Sequence, residues 1–352
     1  MKRPLLFILI LLSFNSAIAQ TEGPTPAQTL RLARATYEQG RLHEIPAQLD
    51  DKVITQMTKS EKVEAYKILC LTYIYLEEPA KADESMLSIL RTDPYFQINE
   101  AVDPAEFVAL YKTFRTTPIY RIGAKLGVNG SRPNVTESAT AVELAGDSEY
   151  KFLVSFQFGV TADLPITKKL TLHGDLIYQQ KKFEIDLKVD RGVNETGERL
   201  INEFQGLESQ NWLSLPITVQ YKFLEKKINP YIGAGLAIDY LFTSKITSER
   251  ARENQTSIQE KTYDFKPQRE PINISAIASA GVKVRMAGGF FVAETQFIYG
   301  LTNVSTKETS FTNSQYALEQ GYADSVYKLN SMVVTVSYIQ NIFNPKKLKR
   351  KK

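Results

Sequence analysis

The chain has 352 residues, 43 Lys and Arg against 39 Asp and Glu, 43% hydrophobic residues, 11% aromatics, a single Cys and two His. That length suits two or three domains, and the apolar content excludes a disordered chain. One Cys excludes an intramolecular disulfide framework or thiolate cluster, and two His leave little for zinc. Past the first twenty residues no apolar run reaches the ~18 residues of a membrane helix, which excludes a helical membrane protein and leaves a β-barrel open. Charge is uneven: residues 20–117 hold 11 basic and 15 acidic residues, 118–345 hold 24 of each, and 346–352 hold six basic residues. The basicity is a tail and not a nucleic-acid-binding face, so no nucleic-acid partner is expected.

Lys2 and Arg3 precede an apolar core over 5–14 and a small-residue site, Ala17-Ile18-Ala19, before Gln20. This is the pattern of an export signal over 1–19, and without a following Cys it is not a lipoprotein signal.

Between residues 26 and 114 the periodicity is helical. Leu30, Ala33 and Tyr37 share a face, Gly40 breaks the run, and a short helix is expected over 45–54. Tyr66, Leu69, Cys70 and Tyr73 make an apolar stripe, and past Glu77-Glu78-Pro79 the residues Ala82, Met86, Ile89 and Leu90 make a facing one that closes at Asp93-Pro94. This spacing resembles a tetratricopeptide repeat, with Ala33, Tyr37, Gly40 and Leu42 as a degenerate copy. The resemblance implies a concave protein-binding surface on Tyr66, Leu69, Tyr73, Ala82 and Met86, although these residues also serve a plain packing role in a helical cap. A further helix over 104–114 is needed to complete so short an array. Cys70, inside an apolar stripe, reads as a small core residue.

Near Thr117-Pro118 the period changes to two. Phe152, Val154, Phe156, Phe158 and Val160 alternate with small or polar residues, as do Leu213 to Phe223 at odd positions and Ile232 to Phe242 at even ones. Eight such segments are expected, at about 119–130, 150–163, 169–185, 210–223, 229–243, 272–286, 289–302 and 327–343. Short connections (164–168, 224–228, 287–288) alternate with long polar ones (131–149, 187–209, 244–271, 303–326), the habit of outer-membrane barrels with tight periplasmic turns and long external loops. A secreted lipocalin or sandwich would use the same alternation with the apolar face inward. The mixed-sign polar face, the strand length and aromatics near strand ends, Tyr120, Trp212, Tyr231, Tyr240, Phe290 and Tyr338 among them, favour apolar-out.

The expected architecture is a periplasmic helical module over 20–117, an eight-stranded antiparallel up-and-down transmembrane β-barrel over 118–345 and a basic tail over 346–352, in the outer membrane with module and tail in the periplasm. The strand Ile119-Tyr120-Arg121-Ile122-Gly123-Ala124-Lys125-Leu126-Gly127-Val128-Asn129, with Pro230-Tyr231-Ile232-Gly233-x-Gly235, resembles the PorT-like outer-membrane β-barrel family of Bacteroidetes-type bacteria. That resemblance covers 118–343 and implies a barrel, with some relatives in protein-secretion machinery and no catalytic motif to transfer. Such strands commonly end a chain at an aromatic, whereas Phe343 is followed by Asn344-Pro345 and the basic run.

By parity a lumen-side polar network is expected from Arg121, Lys125, His173, Asp175, Asp239, Lys283, Arg285 and Glu294, with Gly233, Gly235 and Gly281 as room for large neighbours. The narrow lumen is expected to be filled and not to conduct. His173 and Asp175 share a face and are the one catalytic candidate; a hydrogen-bonded pair with no catalytic role is the plainer reading, and a barrel hydrolase is the least favoured function. No enzyme, cofactor or metal is expected. The favoured function is an anchor for a periplasmic protein-interaction module, an accessory of secretion or envelope assembly; the alternative is a surface receptor or adhesin acting through the external loops. Expected partners are outer-membrane lipid, a periplasmic protein and the barrel-assembly machinery. The tail is read as meeting anionic headgroups, pairing with the acidic helical module, or lying free in solvent.

Overall fold

The computed structural model describes residues 24–137, 149–193, 196–197, 199–224, 226–252, 255–286, 288–309, 312 and 324–348. The export signal and the last four basic residues lie outside the described residues. The chain divides into two compact units: Ile119–Ile342, and a helical unit that joins the residues before them to those from Phe343 onward.

In the helical unit, α1 (Pro26–Glu38) begins with a capping box, in which Gln28 Oε1 accepts from the Thr25 N–H at 2.9 Å and the Thr25 side chain accepts from the Gln28 N–H. It ends at Gly40, φ 76°, where the Arg41 N–H donates to Thr36 O at 3.1 Å and the Gly40 N–H to Tyr37 O at 2.9 Å. The helix expected over 45–54 is split into α2 (Ile45–Gln48) and α3 (Asp51–Thr55). Asp50 is extended and caps α3 by accepting from the Val53 N–H at 2.8 Å, so the helix restarts there. Thr58 and Glu61 form a second capping box at the start of α4 (Lys59–Tyr75), which pairs with α5 (Pro79–Thr92), and α6 (Ala105–Tyr111) follows Pro104. Leu69, Cys70, Ala82 and Met86 are buried, with Tyr66 and Tyr73 half-buried against the core.

The run after Phe343 is built into this unit, and the strand before it ends at Ile342, within a residue of the expected end at 343. Lys347 bridges Phe114 in antiparallel fashion, the Leu348 N–H donates to Thr113 O at 2.8 Å, and the Arg115 N–H donates to Lys346 O at 3.0 Å. Arg115 Nη2 also reaches Asn344 O at 2.6 Å, Phe343 meets the Tyr95 ring edge-on at 4.9 Å, and Lys347 pairs with Asp83. The described part of the tail thus follows the second of its three readings.

The described residues of the other unit form nine strands: β1 (Tyr120–Glu137), β2 (Glu149–Pro165), β3 (Leu170–Val193), β4 (Arg199–Lys222), β5 (Ile228–Arg252), β6 (Gln255–Asp264), β7 (Ile272–Met286), β8 (Gly289–Gly300) and β9 (Val326–Ile342). The expected count of eight is corrected by β6, which lies inside the stretch read as the 244–271 loop. Antiparallel pairings run β1-β2-β3-β4-β5-β7-β8-β9 and back to β1, which closes a ring, while β6 pairs, among the described residues, with the far part of β5 alone. The 187–209 loop is also corrected: β3 and β4 continue their pairing through it as far as Val193↔Arg199. Strands of 24 and 25 residues are about twice the 9–11 that a tilted membrane span needs, so the ring extends beyond the bilayer at its long-loop end.

The strand period sorts side chains by polarity with the apolar set outside. Leu126, Phe152 and Met332 are 60%, 61% and 65% exposed, while Lys125, Asp163 and Asp239 are 3%, 1% and 1% exposed. This removes the lipocalin-like alternative, whose apolar face would be inside. Trp212, Tyr231 and Phe290, expected among the interfacial aromatics, are buried instead, because each falls on the inward parity of its strand.

Two measurements check the helical unit. Burial, with Asp83 adding, pushes the Cys70 thiol up to about 12. At about pH 8 the native full chain should resist a thiol reagent for hours and react fully once denatured; fast native labelling would contradict the packing. Burial works to raise the Asp103 carboxyl, but the Lys67 ammonium at 2.5 Å and the Asn99 N–H at 2.7 Å hold it below the usual carboxylate range. A depressed carboxylate stabilises above its unfolded value and loses that contribution as pH falls through the folded one. Helical ellipticity should therefore melt earlier below about pH 4, and Asp103→Asn should flatten that acid dependence.

Candidate functional site

The interior of the ring is graded along its axis, and β3 shows the gradient. Its inward residues run from His173 and Asp175, through Gln179 and Lys181, to Phe183 and Ile185. Near the short-turn end lies a charge cluster. Lys125 Nζ donates to Asp175 Oδ2 at 2.5 Å and to Glu294 Oε1 at 3.3 Å, and Lys283 Nζ donates to Asp163 Oδ2 at 2.5 Å. His173 Nδ1 is 2.6 Å from Asp163 Oδ1, and its Nε2 is 3.0 Å from Asp175 Oδ1. Arg121 lies 3.8 Å from Asp163 and donates to Asn341 Oδ1 at 2.9 Å. Tyr231 donates to Glu294 Oε2 at 2.5 Å, and Gly281 is what lets it: a Cβ there would sit 2.7 Å from the Tyr231 hydroxyl.

Arg121, Lys125, His173, Asp175, Lys283 and Glu294 are thus brought together as expected by parity. Asp239 lies deeper, taking Lys181 Nζ at 3.1 Å and the Ser214 hydroxyl. Arg285 is corrected: it shares the inward parity but is exposed at the rim, its guanidinium 5.9 Å from the Phe290 ring. Asp163, the carboxylate that ties His173 to Lys283, was missed although it follows Gln157 and Thr161 on the same face; its place at the strand end concealed it.

Chemically the cluster is self-neutralising. Arg121, Lys125 and Lys283 stand against Asp163, Asp175 and Glu294, and His173 lies among them, its Nδ1 on Asp163 and its Nε2 near both Asp175 and the Lys125 ammonium, the latter at 3.2 Å. Among the described residues no group of His, Cys, Asp and Glu has metal-binding geometry.

Toward the long-loop end the interior becomes a hydrophobic core of Phe183, Ile185, Phe204, Trp212, Leu241 and Tyr327 with their neighbours. Arg269, from the β6–β7 connection, enters this core. Its Nε and Nη2 donate to the two oxygens of Glu208 at 2.9 and 2.8 Å, and it pairs with Asp324. Gln210, Ser244 and Tyr327 donate to the same Glu208 at 2.5, 2.9 and 3.2 Å. Sequence period does not disclose this node, because Glu208, Arg269 and Asp324 all lie in polar stretches whose composition is that of loops.

A closed ring, apolar outside and charged inside, defines a β-barrel of the outer-membrane class. Residues 119–306, more than half the chain, match the outer membrane protein beta-barrel domain family, and the chain belongs to it. It is an outer-membrane protein. No curated protein matches the chain. Among solved structures it is similar to Neisserial surface protein A, at 11% identity over 63% of this chain and 97% of that one, TM-score 0.31. It is similar too to OprG of Pseudomonas aeruginosa, at 10% over 64% and 98%, TM-score 0.33, and to Ail of Yersinia pestis, at 11% over 62% and 98%, TM-score 0.28.

Removing one member of a buried ion pair strands the other. Asp163→Ala and Arg269→Ala should each cost about 3–5 kcal/mol, read as a lowered denaturant midpoint of the folded barrel on heat-modifiable gel migration. A loss under about 1 kcal/mol would show that water reaches the stranded charge.

Proposed function

We propose that this protein is a non-enzymatic outer-membrane anchor that holds a periplasmic protein-binding module, as an accessory of a secretion or envelope-assembly complex. The observation that carries this reading is the filled interior. Among the described residues, charged pairs occupy one end of the barrel interior and a hydrophobic core the other, which favours a plugged barrel over a channel or an internal substrate cleft. Activity then belongs to what the barrel carries. The α4–α5 hairpin with its flanking helices supports a tetratricopeptide-like module, and the opening strand supports a place among PorT-like barrels. In this reading the short turns, the helical unit and the tail are periplasmic, no cofactor is used, and the partners are outer-membrane lipid, a periplasmic protein and, during biogenesis, the assembly machinery.

The long extensions of β3, β4 and β5 beyond the apolar belt favour a second reading, a surface receptor. Deleting 247–269 would not test it cleanly, because Tyr263, Phe265 and Arg269 belong to the barrel's inner core. Changing outward-facing Lys245, Thr247 and Thr262 spares that core.

Protease shaving of intact cells, with one epitope tag in the β5–β6 hairpin and another just before Thr117, tests the arrangement. Loss of the hairpin tag alone is expected. Loss of both tags would put the helical unit at the cell surface and give the receptor reading the lead, and loss of the helical tag alone would invert the barrel.

A further inference from the structure

The outer wall of the barrel is apolar but not uniform. Across β8, β9, β1 and β2, near the upper edge of the belt, a crevice of about 380 Å³ opens between Val128, Phe152, Val154, Phe297, Met332 and Val334. Gly130 faces outward opposite Met332 in its floor, and the Phe152 ring rests against it so closely that a Cβ there would sit 2.9 Å from the ring.

Directly beyond it, a second cleft of about 490 Å³ is lined by Arg132, Asn134, Glu149, Tyr150 and Asn330. The two share Arg132 and Asn330, which are paired across β1 and β9, so one continuous depression passes from hydrocarbon-facing to polar. Glu149 is occupied by Lys151 at 3.4 Å. Among the described residues, Arg132 makes no side-chain hydrogen bond or ion pair, and neither does Lys328, which pairs with Asn134 across the strands and so lies diagonal to Arg132 on the outward face. An apolar slot that ends at Arg132, with Lys328 diagonal to it beside the cleft and both without a partner among the described residues, matches an amphiphile with a hydrocarbon chain and a phosphate, and a guanidinium can grip phosphate through two parallel hydrogen bonds.

We infer that this depression is a specific lipid site on the β1–β9 face, in which an acyl chain lies along Gly130 and the headgroup phosphate is held by Arg132 and Lys328. The occupant is lipid A, the phosphorylated glycolipid of the outer leaflet. This choice of leaflet rests on the orientation proposed above; the site itself does not.

The test uses the full chain in mild detergent, titrated with lipid A or phosphatidylglycerol and followed by native mass spectrometry, with heat-modifiable gel migration as the check on folding. The wild-type protein should keep one lipid A under activation that strips phosphatidylglycerol. Arg132→Glu with Lys328→Glu should retain about tenfold less lipid A or lower still. Val128→Trp should reduce retention with every charge in place, while Lys245→Glu, an outward cation away from the crevice, should change nothing. Should the double reversal fail to fold, Arg132→Gln replaces it with the same expected direction. Equal retention by the reversed variant, or an equal loss in Lys245→Glu, overturns the site. Phosphatidylglycerol held in preference, with the same dependence on Arg132, overturns lipid A as occupant. Protease shaving reads the orientation separately, so failure of the site and failure of the orientation are distinguishable.

Discussion

Closure of the backbone hydrogen-bond ring is the constraint on which the barrel depends. In hydrocarbon an unpaired N–H or C=O finds no water, so a sheet that crosses a membrane cannot keep an edge. Here the ring is completed by two long seams, β1 with β9 from Tyr120↔Ile342 to Glu137↔Val326 and β4 with β5 from Lys222↔Tyr231 to Asn202↔Arg252. Once closed, a two-residue period can only sort side chains into inside and outside. Lipid takes the apolar set, and the polar set is forced into a narrow space without bulk water.

That confinement explains the chemistry of the interior. A lone charge there would be costly, so each ammonium is set on a carboxylate, and Asp163 serves Lys283 and His173 together. Where strands leave the membrane the requirement reverses. The outer face can be polar, the inner face can be apolar, and the extension acquires an ordinary hydrophobic core around Trp212 and Phe183. Arg269 enters that core only because Glu208 offers both its oxygens and Asp324 lies alongside. The same barrel is thus inverted in its membrane segment and conventional above it.

The sequence disclosed most where one period persisted. The alternation from Leu213 to Phe223 located β4's membrane segment and its facing, and parity alone puts Lys125, His173, Asp175, Lys283 and Glu294 on the inward face. It disclosed least where periodicity was still present but composition resembled a loop. Phe204, Glu208 and Gln210 keep the inward parity of β4, yet the Asn, Glu and Gln around them look like turn residues, so the extension and its Arg269 node were not seen. Parity also says nothing about depth, which is why Arg285 was grouped with Lys283 although it reaches solvent at the rim. In the helices, apolar spacing found the stripes of α4 and α5 but not the break at Asp50, where one side chain competes successfully with the helix.

The helical unit is assembled from two stretches of chain that are more than two hundred residues apart, since Arg115 bonds to Asn344 and Phe114 bridges Lys347. A chain synthesised from its N-terminal side presents nearly all of this unit early and the last piece only after β9. The helices therefore wait, incomplete along the edge beside Phe114 and Tyr95, for as long as the barrel strands are still arriving. Completion of the module becomes a report that the whole barrel sequence has been delivered, and a chain cut short anywhere before Phe343 would display a module lacking its final segment.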